Sequence, residues 1–267
     1  MDAKARGRIL SIPGMRSLCD ILVNAGNKRY VKALGSSRDL ILSEMTSHRN
    51  SDRCFIVGSG PSLTATDLDS IASEDSFAAN HIFNIFSKTL WRPTYYVLQD
   101  RYTKLDRSLS SIECRYLFIG SYFLRKNDFS LPDNAYPFFD KRDIGKREYL
   151  SFSENLEKFI SVNYTVTYSM LQIAVALGYS EIYLLGMDHS YAVETDEKGA
   201  VVKRNNVRNH AYEDKQEVVA NVQGMNKAYL SAKHYIDGHK DVSIYNATRG
   251  GKLEIFPRIS LEEVIGA

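Results

Sequence analysis

The chain has 267 residues, room for one large domain or one domain with an appendage. Hydrophobic residues make up 44% and charged residues 25%, and the net charge of +2 gives no general pull toward nucleic acid. Three widely spaced cysteines, Cys19, Cys54 and Cys114, with no CxxC, argue against a disulfide framework and a structural zinc site. No apolar run approaches the ~20 residues that span a bilayer, and the basic N-terminus lacks an apolar segment of signal-peptide length. A cytoplasmic protein is expected, with attachment at the inner face of the membrane left open. The 17 tyrosines against 1 tryptophan are read chiefly as packing residues.

Residues 1–50 read as a helical appendage. Leu18, Ile21, Leu22, Val31, Leu34, Leu40, Ile41 and Met45 fall at spacings that suit amphipathic helices. Packing on the main domain, oligomerisation and contact with a membrane face are its three open roles. After the polar linker SHRNSDR, CFIVGSG predicts a short buried strand and SLTATDLDSIASED a turn and helix. SFAANHIF predicts a second strand, TYYVLQD a third ending in Asp100, and CRYLFIGSYF a fourth. Residues 165–179 predict a helix with Met170, Ile173, Ala174 and Leu177 on one face, and SEIYLLGMDHSY a strand running into an acidic-aromatic tip. Residues 194–209 are polar and aperiodic, which suggests a mobile loop inside a lid region at about 190–215. A long helix or helix pair is expected from His210 to about 238, then a last strand, DVSIYNAT.

Strands alternating with helices imply an α/β fold: a Rossmann-like, mostly parallel sheet with helices on both faces, occupying residues 51–267. In such sheets ligands bind beyond the carboxyl ends of the strands. Those positions hold Gly58-Ser59-Gly60, Asn80, Asp100, Asp188-His189 and Asn246-Ala247-Thr248.

The string GSGPS after the first strand raises the question of what comes so close to its backbone. It is neither GxGxxG nor a Walker motif, which disfavours a Rossmann dinucleotide site and a P-loop. Glycines here let a helix N-terminus face a phosphate. The plainer reading is a strand-to-helix turn, with Pro61 in the first helical turn.

The whole string, FIVGSGPSL followed by DL, resembles two related bacterial families. One is the small sialyltransferases that use CMP-sialic acid. The other is the MptE-like family, named for a 6-hydroxymethylpterin pyrophosphokinase and including the motility accessory factors. FAANHIF matches the family asparagine after the second strand, at Asn80. ALGYSEIYLLGMDHSY resembles the families' helix–strand–Gly-x-Asp segment. SIYNATRGGKLEIFPRISLEEV resembles the MptE-like C-terminal signature. The resemblance implies a nucleotide-binding fold with a lid. Where the sialyltransferases carry an asparagine between the two glycines, Ser59 stands here, still able to donate and accept. A second family asparagine, after the third strand, falls on Asp100, whose carboxylate suits a sugar hydroxyl, a cytosine amino group or a metal.

The leading expectation is therefore a glycosyltransferase of sialyltransferase type, inverting at the sugar carbon. Its donor would be CMP-linked sialic acid or a similar keto-sugar acid, its acceptor a glycan or glycolipid, and its setting surface polysaccharide synthesis. Gly58, Ser59, Gly60, Pro61, Ser62, Asn80, Asp100 and Thr165 form the expected nucleotide set. Histidine is the natural base near neutral pH. His210 lies close to where the sialyltransferases carry theirs, and His189, beside Asp188, is the alternative. Tyr191 is the expected donor to the departing phosphate, offset by one position from the family tyrosine, with Tyr212 second. Asp188 matches the Gly-x-Asp acid, as strand-tip organiser or substrate contact. Lys198, Lys203, Arg204 and Arg208, and also Arg249, could close over an anion. The leading reading needs no cofactor. The alternative, a pyrophosphokinase using ATP, needs Mg2+ between Asp100, Asp188 and phosphates. The third reading is a non-catalytic nucleotide-binding or scaffold protein. No nucleic-acid partner is expected; peripheral membrane association and homo-oligomerisation stay open.

Overall fold

In the computed structural model the described residues are 15–34, 37–100, 105, 109–127, 129–144, 147–195, 200–204, 208–212, 219–239 and 241–266. Seven parallel strands form the central sheet: β1 (Arg53–Val57), β2 (Ser76–Ala79), β3 (Tyr95–Leu98), β4 (Tyr116–Gly120), β5 (Ala135–Phe138), β8 (Glu181–Leu185) and β11 (Ser243–Asn246). Their spatial order is β11-β8-β1-β2-β3-β4-β5. The short pair β6 (Asp140–Lys141) and β7 (Ile160–Ser161) is also parallel, whereas β9 (Val193–Thr195) and β10 (Val201–Lys203) are antiparallel.

The strands are mostly apolar on both sides because both sheet faces are covered, with polar residues such as Arg53, Glu181 and Ser243 at the strand starts. In β1, Cys54 and Ile56 join one core cluster while Phe55 and Val57 join the other. The same alternation runs through β3, with Tyr95 and Val97 opposite Tyr96 and Leu98, and through β8, with Ile182 and Leu184 opposite Tyr183 and Leu185. Helices α5 (Val166–Ala176) and α6 (Val222–Asp237) cover the first face. Helix α3 (Ala65–Ser70), a 3-10 segment (Ile82–Lys88), α4 (Ser121–Leu124) and α7 (Leu261–Ile265) cover the second.

Many tyrosines are packing residues. Parallel register sets Phe77, Tyr95 and Tyr116 side by side, and their rings stack at 4.5 and 5.7 Å. The ladder is closed by Tyr179, which meets the Tyr95 hydroxyl at 3.0 Å and donates to buried Asp75 at 2.8 Å.

The two expected N-terminal helices form, α1 (Met15–Ala33) packed on α4 and β6 and α2 (Ser37–Ser47) on β5, but the apolar face of α1 differs from the expected one: Val31 is buried, whereas Leu18, Ile21 and Leu22 are exposed. Two further expectations are corrected. The described residues of 194–209 are not simply loop, since β9 and β10 form a ribbon tied down by backbone bonds between Thr195 and Ala220 and between Arg204 and Ala192; 196–199 and 205–207 lie outside the described residues. The long helix starts at Val222, capped by Asn221; His210, Ala211 and Tyr212 are not helical, and 213–218 of the expected helix or helix pair lie outside the described residues. The fifth strand and the β6–β7 pair lie in a stretch whose polar DKRD block masked the pattern. Among the described residues no helix is long and apolar enough to cross a membrane.

Candidate functional site

Strand order reverses between β1 and β8, because the chain runs outward through β2 to β5 and returns to β1's other side. The two connections leave this point in opposite directions and open a crevice there. The loop after β1 and the loop after β8 form its lips, and the crevice continues into a cleft of about 1010 Å3.

The two lips are packed against each other, which answers what approaches the glycines of GSGPS. Gly58 N donates to Leu185 O at 2.7 Å and Gly60 N to Gly186 O at 2.9 Å. A Cβ on Gly58 would sit 2.5 Å from the Gly186 carbonyl oxygen, and one on Gly60 1.9 Å from the Asp188 carboxylate. The glycines admit the protein's own β8 tip. Asp188 holds Ser62, whose hydroxyl donates to Oδ2 at 2.7 Å and whose N–H reaches Oδ1 at 3.2 Å. The C-terminal signature supports the same tip: Lys252 N donates to Asp188 O at 2.8 Å, and Met187 N donates to Thr248 Oγ1 at 2.9 Å.

The helix after GSGPS does not supply a phosphate site. Helix α3 has 6 residues, Pro61 precedes it rather than opening it, and Thr64 and Asp67 satisfy each other in a capping box. Arg249 is tied to Asp67 at 2.7 Å and lines a separate, smaller cavity with Ser62. The helix N-terminus that faces the cleft belongs to α5, where Thr165, Val166 and Thr167 line the wall and Thr165 caps Thr167 N.

Of the candidates, Gly58, Ser59, Gly60, Asn80, Asp100, Thr165, Asp188, His189, Tyr191 and His210 all line this cleft, whereas Pro61 and Ser62 do not. Tyr212 lines it too; Lys198 lies outside the described residues. His210 Nδ1 meets Ser59 Oγ at 2.8 Å, its ring stacks on Tyr212 at 5.3 Å, and Ala211 N donates to Ser59 O at 2.8 Å. The segment around His210 is thereby fastened to the β1 lip. His189 Nε2 meets Asn226 Oδ1 at 2.7 Å, which places the proton on Nε2, and its ring lies edge-on to Tyr191 and Tyr229. Burial lowers the His189 pKa against the opposing effect of the Asn226 bond, so the ring is neutral near pH 7. Burial also raises the Tyr191 pKa, which keeps its hydroxyl protonated as a donor.

Two independent signs of function converge here. The non-glycine residues with positive φ among those described are Asn80 (57°), Tyr164 (61°) and His189 (52°), and each lines the cleft. Such backbone costs energy and gathers at binding and catalytic sites. The buried side-chain atoms without a hydrogen-bond partner among those described are Gln99 Oε1, Asp143 Oδ1 and His189 Nδ1, on residues that also line it.

Sequence reading missed the opposite wall. Gln99, Asp140, Arg142 and Asp143 line it, and so do Cys19, Asp20 and Val23 of α1. The acid ending YPFFD was the available signal, obscured because β5 itself was not read. Buried Asp140 accepts from the Ser121 hydroxyl, from Tyr122 N at 3.0 Å and from Asn27 Nδ2 at 2.8 Å. Burial outweighs these bonds and raises its pKa to about 7.

As Mg2+ ligands, Asp100 and Asp188 make a poor pair, because both Asp188 oxygens already serve Ser62. No group of three or more His, Cys, Asp or Glu side chains among the described residues is placed to hold a metal.

The class defined by sheet and crevice is a Rossmann-like α/β protein with its ligand cleft at the switch of strand order. The chain belongs to the MptE-like family, described as 6-hydroxymethylpterin diphosphokinase MptE-like, whose profile matches residues 28–194. No curated protein matches it. Among solved structures it is similar to the MAf glycosyltransferase from Magnetospirillum magneticum AMB-1, at 19% identity and a TM-score of 0.50, over 86% of this chain and 39% of that one. The chain thus spans well under half of that protein, and the likeness is one of fold. The sialyltransferase CstII from Campylobacter jejuni, solved with the substrate analogue CMP-3FNeuAc, aligns at 15% identity and a TM-score of 0.46, over 78% of this chain and 86% of that one. The monofunctional α-2,3-sialyltransferase Cst-I from the same organism aligns at 17% and 0.48, over 78% and 80%.

Proposed function

We propose that the protein is a glycosyltransferase that moves a sugar from a CMP-linked donor, sialic acid or a similar keto-sugar acid, to a glycan or glycolipid hydroxyl. The observation that carries the reading is the convergence in one cleft of the β1 lip, the α5 N-terminus, Tyr191 and two histidines, on strained backbone. Ser59 and Asn80 hold the nucleotide. The α5 N-terminus takes the phosphate, whose charge its free N–H groups favour. A His210 Nδ1–H donated to Ser59 leaves Nε2 as proton acceptor, with His189 as the alternative base. The bond from the sugar's anomeric carbon to the phosphate oxygen breaks as the acceptor oxygen attacks the opposite face of that carbon. The acceptor proton passes to His210 Nε2, and CMP leaves with the bonding electrons, accepting a hydrogen bond from Tyr191.

The second reading, Mg2+-dependent pyrophosphoryl transfer from ATP to a pterin, is favoured by the family's own description. Against it stand the commitment of Asp188 to Ser62 and a cleft whose described lining carries Arg142 as its one guanidinium or ammonium group, thin support for a triphosphate.

Thermal denaturation with CMP, CDP, UDP, GDP, AMP and ATP, with and without Mg2+, separates the two. A ligand at 100 times its Kd stabilises by about 2.7 kcal/mol. The transfer reading expects a shift with CMP that ignores Mg2+; an Mg2+-dependent shift with ATP alone selects the pterin kinase. His210→Ala combined with His189→Ala is expected to abolish turnover of a CMP-sugar donor while keeping the CMP shift. Full activity in that variant removes both histidines as the base.

A further inference from the structure

The cleft has two chemically different halves. At the β1 and β8 lips the carboxylate is Asp188, already occupied by Ser62. The half walled by α1 and the β6 tip is lined by Asp20, Asp143 and Asp140, the last already taken up by Ser121, Tyr122 N and Asn27, against one guanidinium, that of Arg142. Arg142 is itself engaged, 3.7 Å from Asp20 and 4.8 Å over the Tyr122 ring.

This half also carries hydrogen-bond capacity the protein leaves unused. Asp143 Oδ2 accepts from Ser151 N at 2.7 Å and lies 3.3 Å from the Ser161 hydroxyl, whereas Oδ1 is buried and has no partner. Gln99 Oε1, at the end of β3, is likewise buried and unpartnered. Both atoms only accept, so what completes them must bring donors. Turning either group toward a bound hydroxyl or ammonium gives it the partner it lacks. A carboxylate or phosphate in the same place would bring no donor and meet like charge in a poorly solvated recess.

We propose that the half of the cleft between α1 and the β6 tip is an acceptor subsite for a neutral or amino sugar, held through its hydroxyl or ammonium hydrogens, which turns carboxylated sugars away. Its role as acceptor subsite rests on the glycosyl-transfer reading; the binding preference does not. Helix α1 supplies the selecting charge through Asp20. Asn24 fixes the helix there, donating to Arg142 O and accepting from Arg142 N, both at 2.9 Å.

Saturation-transfer NMR on the full chain with CMP present tests the preference, using methyl β-galactoside, galactosamine and galacturonate as probes. The expected result is that the first two bind and galacturonate binds about tenfold or more weakly, the size of one adverse charge contact. Asp20→Lys should reverse the order of galactosamine and galacturonate, and Asp20→Asn should level it. Equal or better galacturonate binding to the unaltered chain, absence of sugar binding at tens of millimolar, or an unchanged order in both variants would overturn the subsite. CMP stabilisation in each variant reports the fold and the other half. A missing CMP shift with the sugar preference intact defeats glycosyl transfer from CMP and leaves the subsite standing. A CMP shift without the preference defeats the subsite alone.

Discussion

Gly60 has no room for a side chain, since an added Cβ would lie 1.9 Å from the Asp188 carboxylate and 2.7 Å from the Gly186 carbonyl. The obstacle is partly backbone, so moving Asp188 alone does not relieve it. Gly60→Ala is expected to destabilise by about 2–3 kcal/mol through overpacking, a fall in Tm of roughly 5–10 °C for a chain of this size. A Tm equal to that of the unaltered protein would mean the lips are not in contact. Asn80 and His189 show the same local dependence. Both hold positive φ, and the Asn80 carbonyl accepts from the Tyr96 hydroxyl at 2.6 Å. Asparagine tolerates that backbone better than most residues, so a sequence position suited to ligand binding is also one that backbone geometry requires.

Helix α1 is joined to the sheet by polar contacts as well as packing. Fully buried Asn27 donates to Asp140 and accepts from Arg125 at 2.7 Å, and Asn24 pairs with the Arg142 backbone. The groups around the Asp140 carboxylate are Ser121, Tyr122 N and Asn27, with Arg142 as the nearby charge. Its pKa rises from 3.8 to about 7 on folding. A raised folded pKa means the folded state binds the proton more tightly than the unfolded one. Its stabilising contribution is therefore present below pH 4 and is lost as pH rises toward 7, with a limiting slope of about 1.4 kcal/mol per pH unit. Asp140→Asn should flatten this part of the stability profile, measured by urea denaturation at a series of pH values. An unchanged slope would mean that another group titrates there.

At the scale of the whole molecule, the cleft is assembled from both ends of the chain. Residues from α1 form one wall, and the signature around Thr248 and Lys252 buttresses the opposite lip. Removing residues 1–34 would leave Arg125 without its Asn27 acceptor and Asp140 without a buried donor. Each such loss costs about 1–3 kcal/mol. The truncated chain should melt measurably lower and lose one wall of the cleft. Unchanged melting would mean that α1 rests on the domain without contributing to its stability.

The sequence by itself determined the class of fold. Strands buried on both faces need near-continuous apolar runs, and the runs of β1, β3, β4 and β8 could be read as such wherever turn residues bounded them. It also determined where ligands belong, because a parallel sheet puts its strand ends on one edge, and GSG, Asn80 and GMDH could be located there from order alone. Only the tertiary structure decided what each polar group meets. Ser59 reaches His210 and Ser62 reaches Asp188 across long stretches of chain, and no local periodicity encodes such pairs. The same holds for the acidic wall, which exists because α1 lies against β6, and for the two glycines, whose neighbour is the loop that strand order brings beside them. Local pattern follows from burial of each segment; partnership follows from how segments far apart in sequence are stacked.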